Sequence, residues 1–330
     1  MTRFFSRFAT VLLLANAMLV GSQVAHAAPD EVTFLLPAPA TLPAFAPWML
    51  AQHNGYYAAE NLKVNFVVGR GGVDVAKQVG AGNAVIGVAP GDAPMILRAN
   101  GVMVKTVAMF GAGSLMMIAV HDDGTVNRVQ DLKGKSASVI AYTDGTYYAL
   151  LASLRQAGLT KQDVNIEAAG PAGVWQQFAA RRVQAMAAVP DWVVITEQSG
   201  VKVKLLPVGE TFQGLAQTMV ASDEAIRTQP QLLRRLVRAS LRGMQDIMQD
   251  PKRAASAYVL AVPSFKGKQD QIEKMFALYK QYVYADQSVL GQVDPKRLDT
   301  VQKFYVSENI IPAAWPLDEL HTNVFVVTER

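Results

Sequence analysis

The chain has 330 residues, 51% of them apolar and 18% charged, and no cysteine. This excludes a disordered chain, disulfides, thiol nucleophiles and cysteine metal sites, and leaves room for two domains with cores of their own. The formal net charge is +4, too small to argue for a nucleic-acid partner.

Arg3 and Arg7 precede an apolar run at 11–20, and Ala25-His26-Ala27 matches a small-x-small cleavage site. Residues 1–27 are therefore expected to be a signal peptide, with a mature chain starting near Ala28. The apolar run is shorter than the ~20 residues a membrane span needs. Removing it takes two of the 31 basic residues and none of the 27 acidic ones, which leaves +2. An exported chain without cysteine fits the periplasm.

In chain order, 32–36 reads as a buried strand, followed by a proline-stiffened loop at 37–47. A helix at 45–53 closes at Asn54-Gly55. Val64, Phe66 and Val68 alternate into a turn at Gly69, Gly71 and Gly72. Val73, Ala76 and Val79 then recur at helical spacing, and 85–88 is a second strand stopped by Pro90-Gly91-Asp92. A helix over 94–100 and strands at 102–110 and 115–120 follow. Beyond a turn at 121–124 a fresh α/β unit begins, with a strand at 136–141 and a loop and cap at 142–146. A helix face at Leu150, Leu151 and Leu154 comes next, then a strand at 164–168, a turn at 170–173, a helix at 174–180 and a strand at 185–189. Pro190-Asp191-Trp192 ends that strand. After strands at 201–207 and 216–221 the pattern turns helical, with helices expected from 229, at 272–282, 295–305 and 316–326. Arg234, Arg235, Arg238 and Arg242 read as a solvated helix face.

The stretches 82–92 and 182–191 can be laid side by side with Pro90 opposite Pro190, which suggests two similar α/β domains. In open parallel sheets, ligands bind beyond the carboxyl ends of the strands. The loops there are the candidate site.

Several motifs mislead. Gly134-Lys135-Ser136 lacks the earlier glycine of a phosphate loop, since Val129 stands there, and it precedes a strand. Gly69-Arg70-Gly71-Gly72 lacks the third glycine of a dinucleotide fingerprint. His53, His121 and His321 lie in separate segments with no metal-ligand spacing, and there is no Gly-x-Ser-x-Gly elbow. No catalytic residue, metal or cofactor is indicated.

Together, Gly55-Tyr56-Tyr57-Ala58-Ala59-Glu60-Asn61-Leu62, Gly69-Arg70-Gly71-Gly72, Gly82-Asn83-Ala84-Val85-Ile86-Gly87, Asp131-Leu132-Lys133-Gly134-Lys135 and Asp250-Pro251 resemble a known family. It is that of the periplasmic solute-binding proteins of ABC importers for nitrate, sulfonates, taurine and hydroxymethylpyrimidine. The resemblance implies a two-lobed periplasmic binding protein fold (type II-like), with two doubly wound α/β lobes joined by a two-strand hinge. Lobe 1 would be 28–118 and 217–330, lobe 2 would be 119–216, and the crossings near Ala119 and Ala216 would form the hinge. A small-molecule ligand would sit between the lobes, and the closed form would dock on a membrane permease. Fungal relatives that make the thiamine pyrimidine resemble the chain too, but they depend on a cysteine-rich motif that it lacks.

The expected ligand contacts are Pro37, Thr41, Arg70, Gly71, Gly72, Pro90 and Asp92 from one lobe. Tyr142, Asp144, Gly145, Thr146, Ala172, Gly173, Asp191 and Trp192 are expected from the other. Helix starts at Gly71-Gly72, Gly145-Thr146 and Ala172-Gly173 favour anionic groups. Asp92, Asp144 and Asp191 oppose them and suit N–H donors or a cation, while Tyr142 and Trp192 could stack on a planar ring. The expectation leans to a nitrogen-bearing or aromatic molecule, pyrimidine-like, over a sulfonate or nitrate. Each acid has a structural alternative. Asp144 also fits an N-cap, Asp92 its own loop backbone, and Trp192 the core.

Overall fold

The computed structural model describes residues 28–207, 211–285 and 287–326. The expected signal peptide lies outside them.

Two five-stranded mixed sheets form the core, each flanked by helices. In the first half, β1 (Asp30–Leu36) runs into a 3-10 turn at Pro43–Phe45, then α1 (Ala46–His53) and α2 (Tyr56–Ala59). Next come β2 (Leu62–Val68), α3 (Gly72–Gly80), β3 (Ile86–Pro90), α4 (Ala93–Arg98) and β4 (Val104–Met109). The chain then crosses over. The second half holds β5 (Met117–His121), β6 (Ser136–Val139), α5 (Gly145–Gln156) and β7 (Asn165–Ala168). It continues with α6 (Gly170–Ala179), β8 (Ala185–Ala188), α7 (Pro190–Gln198) and β9 (Val203–Leu205). A return crossover delivers β10 (Gln217–Ser222) to the first sheet. The remaining helices are α8 (Asp223–Thr228), α9 (Pro230–Gln249), α10 (Pro251–Ala261), α11 (Gln269–Leu278), α12 (Pro295–Ser307) and α13 (Leu317–Leu320). A π-helical turn, Tyr279–Tyr284, extends α11.

The strand orders are β2-β1-β3-β10-β4 and β7-β6-β8-β5-β9. They map onto each other. β1, β2 and β3 pair in parallel as β6, β7 and β8 do. In each sheet the strand that arrives by crossover, β10 or β5, lies antiparallel between its neighbours. Equivalent loops therefore face the same way. The loop after β1 corresponds to the one after β6, and the loop after β3 to the one after β8.

Local chemistry explains the elements. Phe34 and Leu36 alternate with Thr33 and are fully buried; full burial of such a side chain contributes about 1.5–3 kcal/mol. Gly71 takes φ +94 at the entry to α3, a conformation glycine adopts without strain. Asp250 caps α10 by accepting from the Arg253 amide at 3.0 Å, and Pro251 fills the first helical position.

Five expectations need correction. Val73 is exposed, and the inward face of α3 is Val75, Ala76 and Val79, because the helix starts at Gly72. Gly170–Gly173 is the first turn of α6 itself, and Pro190-Asp191-Trp192 opens α7, with proline at a helix start in both. Of the expected helix at 316–326, only Leu317–Leu320 is helical, and His321 bridges to Thr106 instead. The arginine face of α9 is largely engaged. Arg238 forms a bidentate pair with Glu60, Arg235 bonds Asp30 and the Glu60 carbonyl, and Arg242 lies over the Tyr56 ring at 3.9 Å.

Candidate functional site

A narrow cavity of about 40 Å³, room for a few water molecules as it stands, lies between the halves. The first half supplies Pro90 and Asp92 from the end of β3, and α12 supplies Val301 and Tyr305. The second half supplies Gly145, Tyr148 and Ala149 from the start of α5. Both crossovers border it, through Ser114, Leu115 and Met116 on one and Phe212, Gly214 and Leu215 on the other. Among the described residues, no basic side chain lines it.

Asp92 is the polar centre of this wall. It precedes α4 but its side chain caps nothing there. Instead Oδ2 accepts the Tyr305 hydroxyl. Burial pushes its carboxyl up from the usual range, the Tyr305 hydroxyl pulls it back, and the Asp144 carboxylate adds to the rise. The Tyr305 phenol is itself held well above its ordinary value by burial and by Asp92. Asp92 and Asp144 thus share one electrostatic neighbourhood although they come from different halves.

Aromatic rings line the approach. Tyr148 meets Tyr305 edge-on, with centroids 5.4 Å apart. Tyr147 stands beside Tyr148 at 6.1 Å, and Tyr142 meets Tyr147 edge-on at 5.4 Å. The series runs from exposed Tyr142 inward to the Asp92–Tyr305 pair, and such faces suit a flat ring.

The expected residues separate into groups. Pro90, Asp92 and Gly145 line the cavity. Asp144 is the N-cap of α5, accepting from the Thr146 amide at 2.8 Å and the Thr146 hydroxyl at 2.7 Å. Thr146 is buried and also takes the Ile140 amide at 2.9 Å, so its hydroxyl has its partners within the protein. Gly71 donates its amide to the Pro37 carbonyl at 3.0 Å, which ties those two loops together. A Cβ on Gly72 would lie 2.2 Å from the Pro90 ring, so that glycine admits Pro90. The Thr41 carbonyl receives the Tyr258 hydroxyl at 2.6 Å. Arg70 is exposed, with its amide on Asp74. Tyr142 bonds the Ile166 carbonyl at 3.1 Å. Ala172 and Gly173 sit in the first turn of α6, outside the cavity lining, and Trp192 packs on the core beside Val174 and Phe178. Asp191 is buried where α7 meets the other half.

Sequence reading missed Tyr148 and Tyr305, and it took the two crossovers as a hinge without expecting their residues in the lining. Tyr148 had a signal, lying three residues past a glycine at a helix start. Tyr305 had none, since it sits on a helix whose spacing reads as core. Among the described residues, no group of three or more His, Cys, Asp or Glu could hold a metal. His121 stacks on Phe178 at 4.0 Å with its pKa lowered by burial, a packing role. No described helix is long and apolar enough to cross a membrane.

A family model described as NMT1/THI5 like matches residues 42–254. The riboflavin-binding protein RibY of Chloroflexus aurantiacus is 25% identical over 289 residues, spanning 86% of this chain and 82% of RibY. The periplasmic aliphatic sulphonate-binding protein SsuA from Escherichia coli superposes with a TM-score of 0.70 at 15% identity, covering 88% of this chain and 91% of SsuA. The periplasmic nitrate-binding protein NrtA from Synechocystis PCC 6803 gives 0.68 at 12%, covering 89% and 86%. At these identities the two solved structures establish the two-lobed fold, and their named ligands belong to them.

Proposed function

The chain belongs to the NMT1/THI5-like family, and on that footing we propose that it is an extracytoplasmic substrate-binding protein for a small, planar, nitrogen-bearing molecule. The described residues within 28–118 and 217–330 form one lobe and those within 119–216 the other, and the lobes close on the ligand as jaws. The protein is exported to the periplasm, acts as a monomer without a cofactor and hands its ligand to the permease of an ABC importer. It performs no catalysis.

One observation carries the choice of ligand. The cavity between the halves presents Asp92 under the Tyr305 hydroxyl and an aromatic flank, without a basic side chain. An anion there would face Asp92 with no basic side chain among the described lining residues to offset it. A ring with an N–H edge would donate to Asp92 and lie against the tyrosines. Amino- and oxo-substituted pyrimidines carry such an edge, and so does the flavin ring that the RibY relative is named for binding. Closure removes the ligand from water and engages both lobes, so binding energy selects the closed state.

A thermal-shift panel of hydroxymethylpyrimidine, riboflavin, an alkanesulfonate and nitrate tests this reading. A ligand at a hundredfold excess over Kd stabilises by about 2.7 kcal/mol. The ring compounds should raise the melting temperature; a rise with the sulfonate or nitrate alone would overturn the proposal. Unchanged ligand recovered after incubation is also expected, and turnover would make the protein an enzyme.

A further inference from the structure

The halves also meet away from the cavity, at a carboxylate. Asp191, in the first turn of α7, is 8% exposed and faces the turn at Pro43–Phe45 in the other half. Its Oδ1 has no hydrogen-bond partner and neither does the buried Tyr284 hydroxyl, while the buried Tyr279 hydroxyl makes no full hydrogen bond but acts on the carboxyl. The Ala44 backbone and the Tyr279 hydroxyl lie closest to the carboxyl. The titratable groups that face it are Tyr258 on α10 and Tyr279 and Tyr284 on the π-helical turn. Among the described residues no cation offsets it, and Asp270, Glu273 and Lys274 on α11, which packs on α7, do not act on its carboxyl. The turn at Pro43–Phe45 presents backbone, α6 carries no titratable side chain, and Lys204 on β9 bonds Asn127 at 2.8 Å.

The same contact bridges the apolar cores. Val193 packs with the second half's core and Val194 with the first half's, and Leu278 and Tyr282 touch both. The π-helical turn lies directly on the first crossover. A Cβ on Gly113 would fall 1.8 Å from the Tyr282 carbonyl. Any rotation about the crossovers therefore moves α7 against this turn.

We propose that Asp191 is a proton-held latch: its carboxyl is neutral while the halves are closed, and parting them lets it ionise in water, so acid favours the closed state and rising pH favours release. An orphan buried acceptor gains a donor proton for the tyrosine hydroxyls when it is protonated, and an ion there would have the Tyr279 hydroxyl and the Ala44 backbone to hold it but no opposite charge among the described residues. This rests on the two-jaw reading above.

The sign follows from proton linkage. Burial pushes the closed-state carboxyl up to about 7, against about 3.9 for a solvated aspartate. The closed state holds a proton that the open state releases across that window. The closing equilibrium therefore weakens by up to about tenfold per pH unit from about pH 4 to about pH 7, and levels off above.

The chain has no cysteine, so paired labels are unambiguous. His53→Cys on α1 and Gln198→Cys on α7 are both exposed and lie in different halves. Their separation, measured in the purified protein without ligand from about pH 5 to about pH 8, should lengthen as pH rises. Asp191→Asn should abolish that dependence and stay closed. Tyr279→Phe should move the midpoint to higher pH, because the hydroxyl that lowers the Asp191 pKa is gone. A pH response that survives in Asp191→Asn overturns the latch, and so does a separation that answers to the ligand panel but not to pH. If neither pH nor any panel compound changes the separation, the two-jaw reading fails with it.

Discussion

Asp92 and Asp191 stand at matching places in the two halves, each just past the third strand of its parallel trio, and each meets the segment after the first strand of the opposite half. Their surroundings differ. Asp92 borders a cavity, holds a tyrosine hydroxyl and lies at the end of an aromatic series. Asp191 is sealed among packed tyrosines, with one oxygen unpartnered. One architecture, used twice, has given one carboxylate room for a ligand and the other only a wall. Position in the fold sets where an acid can act, and its immediate partners set what it does.

The largest effect that breaks this comparison acts on the crossovers that hold the two sites in relation. Gly113→Ala puts a methyl group into the Tyr282 carbonyl, so backbone must move. A loss of about 3 kcal/mol in denaturant unfolding is expected, as for severe overpacking; a neutral result would mean that the crossover and the π-helical turn separate freely.

Tyr305→Phe acts on the Asp92 side alone. Asp92 loses its donor, and its carboxyl rises further because that hydroxyl lowers it. Titration of the panel compound with the largest thermal shift should show a loss of about 1–1.5 kcal/mol, roughly tenfold in Kd. The pH dependence assigned to Asp191 should stay in place.

Asp144→Ala is the smallest. It removes the cap of α5, which costs about 1 kcal/mol of stability. Ligand affinity should change by well under tenfold, about 1.4 kcal/mol, since Asp144 is not among the residues lining the cavity. A larger loss of affinity than of stability would make Asp144 a ligand contact.

Much of the fold was legible because short apolar runs alternate with Gly, Pro and Asp. Val32, Phe34 and Leu36 mark β1 as plainly as Asn54-Gly55 marks the end of α1. Pro90, Asp92 and Gly145, at strand-to-helix junctions, border the cavity. Other features are tertiary. Tyr305 lies 213 residues from Asp92 and reaches it only because α12 packs back on the first half. The crossover at Phe212–Leu215 carries no local pattern, since its role comes from where the two sheets place it. The start of α7 was obscured by Pro190, which reads as a strand stop but serves as a first helical residue. Arg235 and Arg238 look like solvent-facing charge on α9, and their partners Asp30 and Glu60 are far away in sequence.

Asp92 is the group proposed to read a ligand held between the two halves. Calorimetric titration of hydroxymethylpyrimidine and of riboflavin into the purified protein and into Asp92→Ala tests it most directly. At least one of them should bind the unaltered protein, and Asp92→Ala should weaken it by about 10–100-fold, the ~1.5–3 kcal/mol of a charge-assisted hydrogen bond. An unchanged Kd in Asp92→Ala would contradict it and make the Asp92–Tyr305 contact purely structural.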